Sequence, residues 1–197
     1  MGMKSLLLAL LLVATANAEI YAIRASDQGR LALTVEKTGL YRGKKHLFLF
    51  QKYEGQLDFD AQRPEASRIQ LTIDSSSLVC KDDWVDAGDL KKIEKTALDD
   101  MLAAKQHPSM TFVGNTIRPL GGDRFEVQGT LSIRGLAKPV LVTVQWNATD
   151  PRALRIEGSA TIRLTDYNLK PPSALLGAIG TKNEMALSFL VIATKTN

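Results

Sequence analysis

His46 and His107 are the only histidines in the sequence and Cys80 is the only cysteine, so nucleophilic or metal chemistry would have few parts to work with. Neither histidine lies in an H-x-H, H-E-x-x-H or Cys-His spacing, and the spacing supports no metal site. His107, just before Pro108, is expected at the surface. Asp82, Asp83, Asp86 and Asp89 form the densest acid cluster, but they lack the spacing and the glycine of a calcium loop. Acids ahead of a helical pattern serve as caps. Ser75, Ser76 and Ser77 have no G-x-S-x-G context and no base beside them, so a solvated strand end is expected there. Catalysis would require Asp166, Tyr167 and a histidine to converge, which spacing alone does not indicate. These residues point to a protein that is not an enzyme and has no cofactor and no metal.

What would position any site is a set of strands. In Phe125 to Trp146, Phe125, Val127, Leu131 and Ile133 alternate with polar residues, the period of a strand with one buried face. Gly129 on the apolar face marks a bend, as barrel strands require. Arg134 to Pro139 is read as the turn, so that Val140 opens a return strand with Val142, Val144 and Trp146 on one face. Leu31, Leu33 and Val35 alternate in the same way. Phe48 and Phe50 share one face of the next strand while Leu47 and Leu49 share the other, so both of its faces are apolar. Leu57 and Phe59 continue the sheet, followed by Ile69, Leu71 and Ile73. From Trp84 to Gln106 the period changes: Leu90, Ile93, Ala97, Leu98, Met101 and Leu102 recur at three and four, which predicts a helical insertion with Asp89 as its N-cap. Strand patterns resume from Met110 to Ile117. Leu154, Ile156, Gly158, Ala160, Ile162 and Leu164 then face one side of a strand whose centre is thin, which either leaves volume there or accepts a large neighbour. Met185, Leu187, Phe189 and Val191 form the last strand. The segment 170–182 carries Leu175 and Leu176, costly in water, and is expected to fold back over the sheet or cover an opening. The fold class is all-β and mainly antiparallel, an up-and-down barrel of about eight strands with one helical insertion.

Residues 1–18, MGMKSLLLALLLVATANA, carry one lysine, a short apolar run and an A-x-A end. That is the pattern of a secretory signal peptide cleaved before Glu19, leaving one domain over 19–197 and a periplasmic or secreted location. Removal of Lys4 lowers the net charge from +4 to +3. The basic residues are scattered without interleaved aromatics, which argues against nucleic acid. A single cysteine leaves no internal disulfide, so its thiol is either buried, as its strand pattern suggests, or available to a partner.

VQGTLSIRGLAKPVLV, from Val127 to Val142, resembles the signature hairpin of the YceI-like proteins, exported lipocalin-like barrels associated with polyisoprenoid binding. PEASRIQLTID from Pro64, HPSMTF from His107 and TIRLTDYNLKPP from Thr161 are similar to further motifs of that family. The family's V-x-H-L-G is absent between Lys37 and Phe50, as is its R-D-x-H-L around Trp84. The resemblance implies a barrel that holds an extended apolar ligand, a polyisoprenoid, isoprenoid quinone or fatty-acid-like lipid, for transport or storage. With the strand faces it assigns Phe48, Phe50, Phe112, Val127, Leu131, Val142, Val144, Trp146, Ile156, Gly158, Ala160, Ile162, Tyr167, Leu187 and Phe189 to a cavity, and Leu175 and Leu176 to its mouth. The expected partners are a long-chain apolar small molecule, transient membrane contact and a possible homodimer. The alternative is a secreted stress or interaction protein with a fully packed barrel.

Overall fold

The computed structural model describes residues 18–196. The expected signal segment, Ala18 apart, lies outside the described residues. The alternating stretches form β1 (Glu19–Arg24), β2 (Arg30–Gly39), β3 (Lys45–Phe50), β4 (Tyr53–Phe59), β5 (Arg68–Asp74) and β6 (Leu78–Cys80). Then come α1 (Ala87–Lys95), β7 (Ser109–Gly121), β8 (Arg124–Ile133), β9 (Leu136–Asp150), β10 (Ala153–Arg163), β11 (Ser173–Ala174) and β12 (Ile179–Lys195).

Three pairs of these are long strands with a break. β1 and β2 both lie antiparallel along β12, with Ile23 opposite Ala193 and Leu31 opposite Phe189. β3 and β4 run back along β2 and β1, and β5 and β6 along β4 and β3. With each broken pair taken as one and the two-residue β11 set aside, eight strands follow in chain order, and β12 closes on β1. This is the antiparallel up-and-down barrel expected from the alternation, closed where β12 meets β1.

Several local readings change. The serines are not a solvated end: Ser75 and Ser77 are buried in a single 3₁₀ turn that kinks β5 into β6. The Ser77 hydroxyl donates to the Asp74 carbonyl at 2.7 Å and accepts the Lys52 N–H at 3.0 Å, so the break in the ladder is satisfied locally. The β8–β9 turn is only Arg134-Gly135, both at positive φ, the geometry of a two-residue hairpin. Pro139 therefore lies inside β9, opposite Thr130, on a stretch that β10 does not reach because β10 pairs only from Thr143 onward. A proline is tolerated there because the strand has one neighbour instead of two. The helix is shorter than its apolar period and is capped by Asp86, not Asp89. The Asp86 carboxylate accepts the N–H groups of Gly88 and Asp89 at 2.8 Å each. After Lys95 the chain widens into a π turn over Thr96–Met101. Arg134 donates to the carbonyls of Asp100 and Met101 at the end of that turn, tying the helical insertion to the β8–β9 hairpin.

The two ends of the barrel differ. At the end carrying the β4–β5, β7–β8 and β9–β10 turns, an aromatic group fills the interior. Phe59 meets Tyr21 edge-on at 6.2 Å and Trp146 edge-on at 4.8 Å, and Phe125 stacks on Trp146 at 6.4 Å. The other end carries the β2–β3 turn, the helical insertion, the β8–β9 turn and the segment 164–178.

Candidate binding cavity

Between the aromatic plug and the helical end lies a cavity of about 450 Å³, within the size range of small-molecule sites. Phe48, Phe50, Phe112, Val127, Leu131, Val142, Val144, Ile156, Ala160, Ile162, Tyr167, Leu187 and Phe189 all line it. Ile23, Val35, Leu71, Met110 and Val191 join them from β1, β2, β5, β7 and β12, and Ile93, Ala97 and Met101 from the helical insertion. Period-2 alternation is what points the strand side chains among these inward.

Four expected residues lie elsewhere. Trp146 belongs to the plug, where its Nε1 is buried with no hydrogen-bond partner among the described residues. Gly158 does not open volume, because the Phe189 ring occupies the space a side chain would need there. Ala160, one inward position along, does line the cavity. Leu175 and Leu176 are exposed, at 67% and 110%, on a tight turn with positive φ at both. β11 holds this turn out by pairing Ser173 with Gly180, so Pro172, Ser173 and Ala174, not the leucines, border the cavity. The residues needed for catalysis do not converge: Tyr167 is buried with its hydroxyl donating to the Leu131 carbonyl at 3.4 Å, whereas Asp166 is exposed. Burial pushes the Tyr167 phenol up to about 12.

Sequence reading overlooked the polar residues at the mouth. Among the described residues, Lys37 and Lys92 are the charged side chains that line the cavity, accompanied by His46, Thr96, Ser173 and Thr181. Lys37 lies opposite Thr181, and His46 sits on β3 opposite Val35, so these groups collect at the helical end. The signal was available: Leu31, Leu33, Val35 and Lys37 share one parity on β2, as do His46, Phe48 and Phe50 on β3. Lys92 reaches Asp89 at 2.9 Å. Lys37 has no ion pair among the described residues, and its burial pushes the ammonium below the usual lysine range, opposed in part by the charge of Asp82.

Behind His46 the structure assembles a buried group. His46 Nδ1 lies 2.5 Å from Asp82 Oδ2, and the Leu47 N–H donates to Asp82 Oδ1 at 2.8 Å. Cys80, opposite Phe48 on the neighbouring strand, is buried as well. Burial pushes its thiol up to about 11, so it is no activated nucleophile. Trp84 stacks on the imidazole at 5.3 Å and donates its indole N–H to the Lys45 carbonyl. The separation of 36 positions between His46 and Asp82 hid this group from any spacing rule.

The YceI-like domain family matches residues 21–192, nearly the whole barrel. The chain belongs to the YceI-like family. A UPF0312 protein of Azotobacter vinelandii is 28% identical over 127 residues, covering 61% of this chain and 62% of that protein. One of Pseudomonas aeruginosa is 28% identical over 145 residues, 71% of this chain and 70% of that protein. The YceI-like chain thus spans under two thirds of the length of the Azotobacter relative. Among solved structures, BcnA of Burkholderia cenocepacia superposes with a TM-score of 0.65 at 25% identity, covering 84% of this chain and 96% of that one. A polyisoprenoid binding domain from Saccharophagus degradans gives 0.62 at 13% identity, covering 89% and 98%. The second likeness speaks to the fold alone. The YceI-like barrel encloses a largely apolar cavity of small-molecule size.

Proposed function

We propose that this protein is an exported carrier that holds a long apolar or weakly amphiphilic lipid, a polyisoprenoid, isoprenoid quinone or fatty-acid-like chain, inside its barrel. The observation that carries the reading is the 450 Å³ apolar cavity whose polar lining gathers at one end around Lys37. A chain would enter tail first, with its polar end left at the helical mouth. The description of the Saccharophagus degradans neighbour as a polyisoprenoid binding domain supports the ligand class. Burial of each CH₂ gains about 0.8 kcal/mol over water, but the competing phase is a membrane as apolar as the cavity. Net transfer is then near balance, which suits a carrier that loads and unloads.

Transient membrane contact fits the outside of the mouth. Leu40, Tyr41, Leu175 and Leu176 are exposed on the two neighbouring loops, joined where the Leu40 N–H donates to the Ala178 carbonyl. Arg42, Lys44 and Lys45 flank them on the β2–β3 segment, favouring an anionic lipid surface. Export rests on the signal pattern of residues 1–18, so the N-terminus of the mature protein should read Glu19-Ile20-Tyr21; a periplasmic form retaining Lys4 would refute it.

The deciding experiment is mass spectrometry of lipid extracted from the purified mature protein. A single long-chain species near one per chain is expected. If no lipid is recovered, and added polyprenol or fatty acid leaves the thermal melt unchanged, the protein is an interaction barrel and not a carrier.

A further inference from the structure

We infer that His46, Cys80 and Asp82 form a binding site for one divalent cation of the zinc class, built where β3 meets β6 beside the cavity wall. One ligand atom from each lies within 4.8 Å of the others, and the Asp82 side chain is fully buried. An imidazole nitrogen, a sulfur and a carboxylate oxygen are the donor types that zinc takes.

The surroundings hold the three in place. Strand pairing of Phe48 with Cys80 fixes β6 against β3. The Leu47 N–H orients the Asp82 carboxylate, the Glu94 carboxylate accepts the Cys80 N–H at 2.9 Å, and Trp84 fixes the plane of the imidazole. Such outer partners are what keep metal ligands aimed. In a tetrahedral zinc site two ligands about 2.1 Å from the metal stand about 3.4 Å apart. The His46–Asp82 contact must therefore open by about 1 Å, while no two of the ligand atoms stand more than 4.8 Å apart.

The protons balance. The His46 imidazole directs its Nδ1 hydrogen bond at the Asp82 carboxylate. On binding, Cys80 releases its proton to solvent and ligates as thiolate, while the imidazole proton moves from Nδ1 to Nε2 and frees the Nδ1 lone pair. The cation then faces one thiolate and one carboxylate, leaving a neutral buried site and one tetrahedral position for water. No redox change is involved.

The site is independent of the lipid reading, and its test uses no lipid. Cobalt(II) is titrated into the metal-free full-length mature protein under reducing conditions. One equivalent should bind with a thiolate-to-cobalt charge-transfer band, displaced by zinc. Cys80→Ser should abolish the band, and His46→Gln or Asp82→Asn should weaken binding at least tenfold. Because these variants alter a buried group, X-ray absorption of the zinc-loaded wild type supplies a reading without mutation: one sulfur near 2.3 Å beside nitrogen and oxygen near 2.0 Å. A shell with no sulfur, or a cobalt spectrum that Cys80→Ser leaves unchanged, overturns the proposal and leaves the trio as a hydrogen-bonded network.

Discussion

Phe189 packs its ring over Gly158, the residue directly opposite it on β10. A Cβ on Gly158 would stand 2.6 Å from Cζ of that ring and 2.5 Å from the Thr143 carbonyl oxygen. The same device recurs where Phe112 lies over Gly129, whose Cβ would stand 2.5 and 2.6 Å from two atoms of the ring. Each glycine seats an aromatic ring against the wall, and the ring then lines the cavity.

Two neighbouring substitutions on β10 should therefore behave oppositely. Gly158→Ala drives a methyl into backbone and ring and should cost about 1 to 3 kcal/mol as overpacking. Ala160→Phe places its ring in the cavity, so the thermal melt should hold or rise while bound lipid falls. If Ala160→Phe unfolds the protein and Gly158→Ala does not, the volume beside Ala160 is not a cavity.

Lys37 should select among ligands. Lys37→Met is expected to reduce retention of a long-chain carboxylate about tenfold, equivalent to about 1.4 kcal/mol, and to leave a long-chain alcohol unaffected. Competition with a fluorescent fatty acid reads the difference. Equal effects on both ligands would remove Lys37 from recognition.

The exposed leucines should govern exchange and not folding. With Leu175→Asp and Leu176→Asp together, lipid transfer to anionic vesicles should slow severalfold, while stability stays within about 0.5 kcal/mol, as for other surface changes. Transfer at the wild-type rate would show that the mouth does not touch the bilayer.

Asp60 predicts a pH dependence at the plugged end. Burial pushes its carboxyl up, but the N–H groups of Arg63 and Gln62 and the Arg63 guanidinium outweigh burial and hold it below the usual carboxylate range. A folded-state value below the unfolded one contributes stability above the unfolded value, about pH 4, and loses it as pH falls through the folded value. Urea midpoints of wild type and Asp60→Asn should thus differ near neutrality and converge in acid. A gap that persists unchanged into acid would assign the effect to packing.

Much of the barrel was legible in the sequence because a strand's side chains alternate with a period of two, whatever the strand pairs with. That period alone put Val127, Leu131, Ile156 and Phe189 on inward faces, and the motif from Val127 to Val142 named the family. The turn residues Arg134 and Gly135 were within the expected turn, but its length was set by how β9 pairs with β8. What alternation does not carry is depth along the barrel or distance across it. Trp146 shares its parity with Val144, yet it stands one inward step further from the mouth, among Phe59 and Phe125. Leu175 and Leu176 are apolar, but the pairing of β11 turns them outward. His46 and Asp82 are joined only because β3 and β6 are neighbours in the sheet, a consequence of three broken strands folding back in register. Local period is written in each residue's immediate neighbours, whereas register between strands is decided by the closed sheet as a whole.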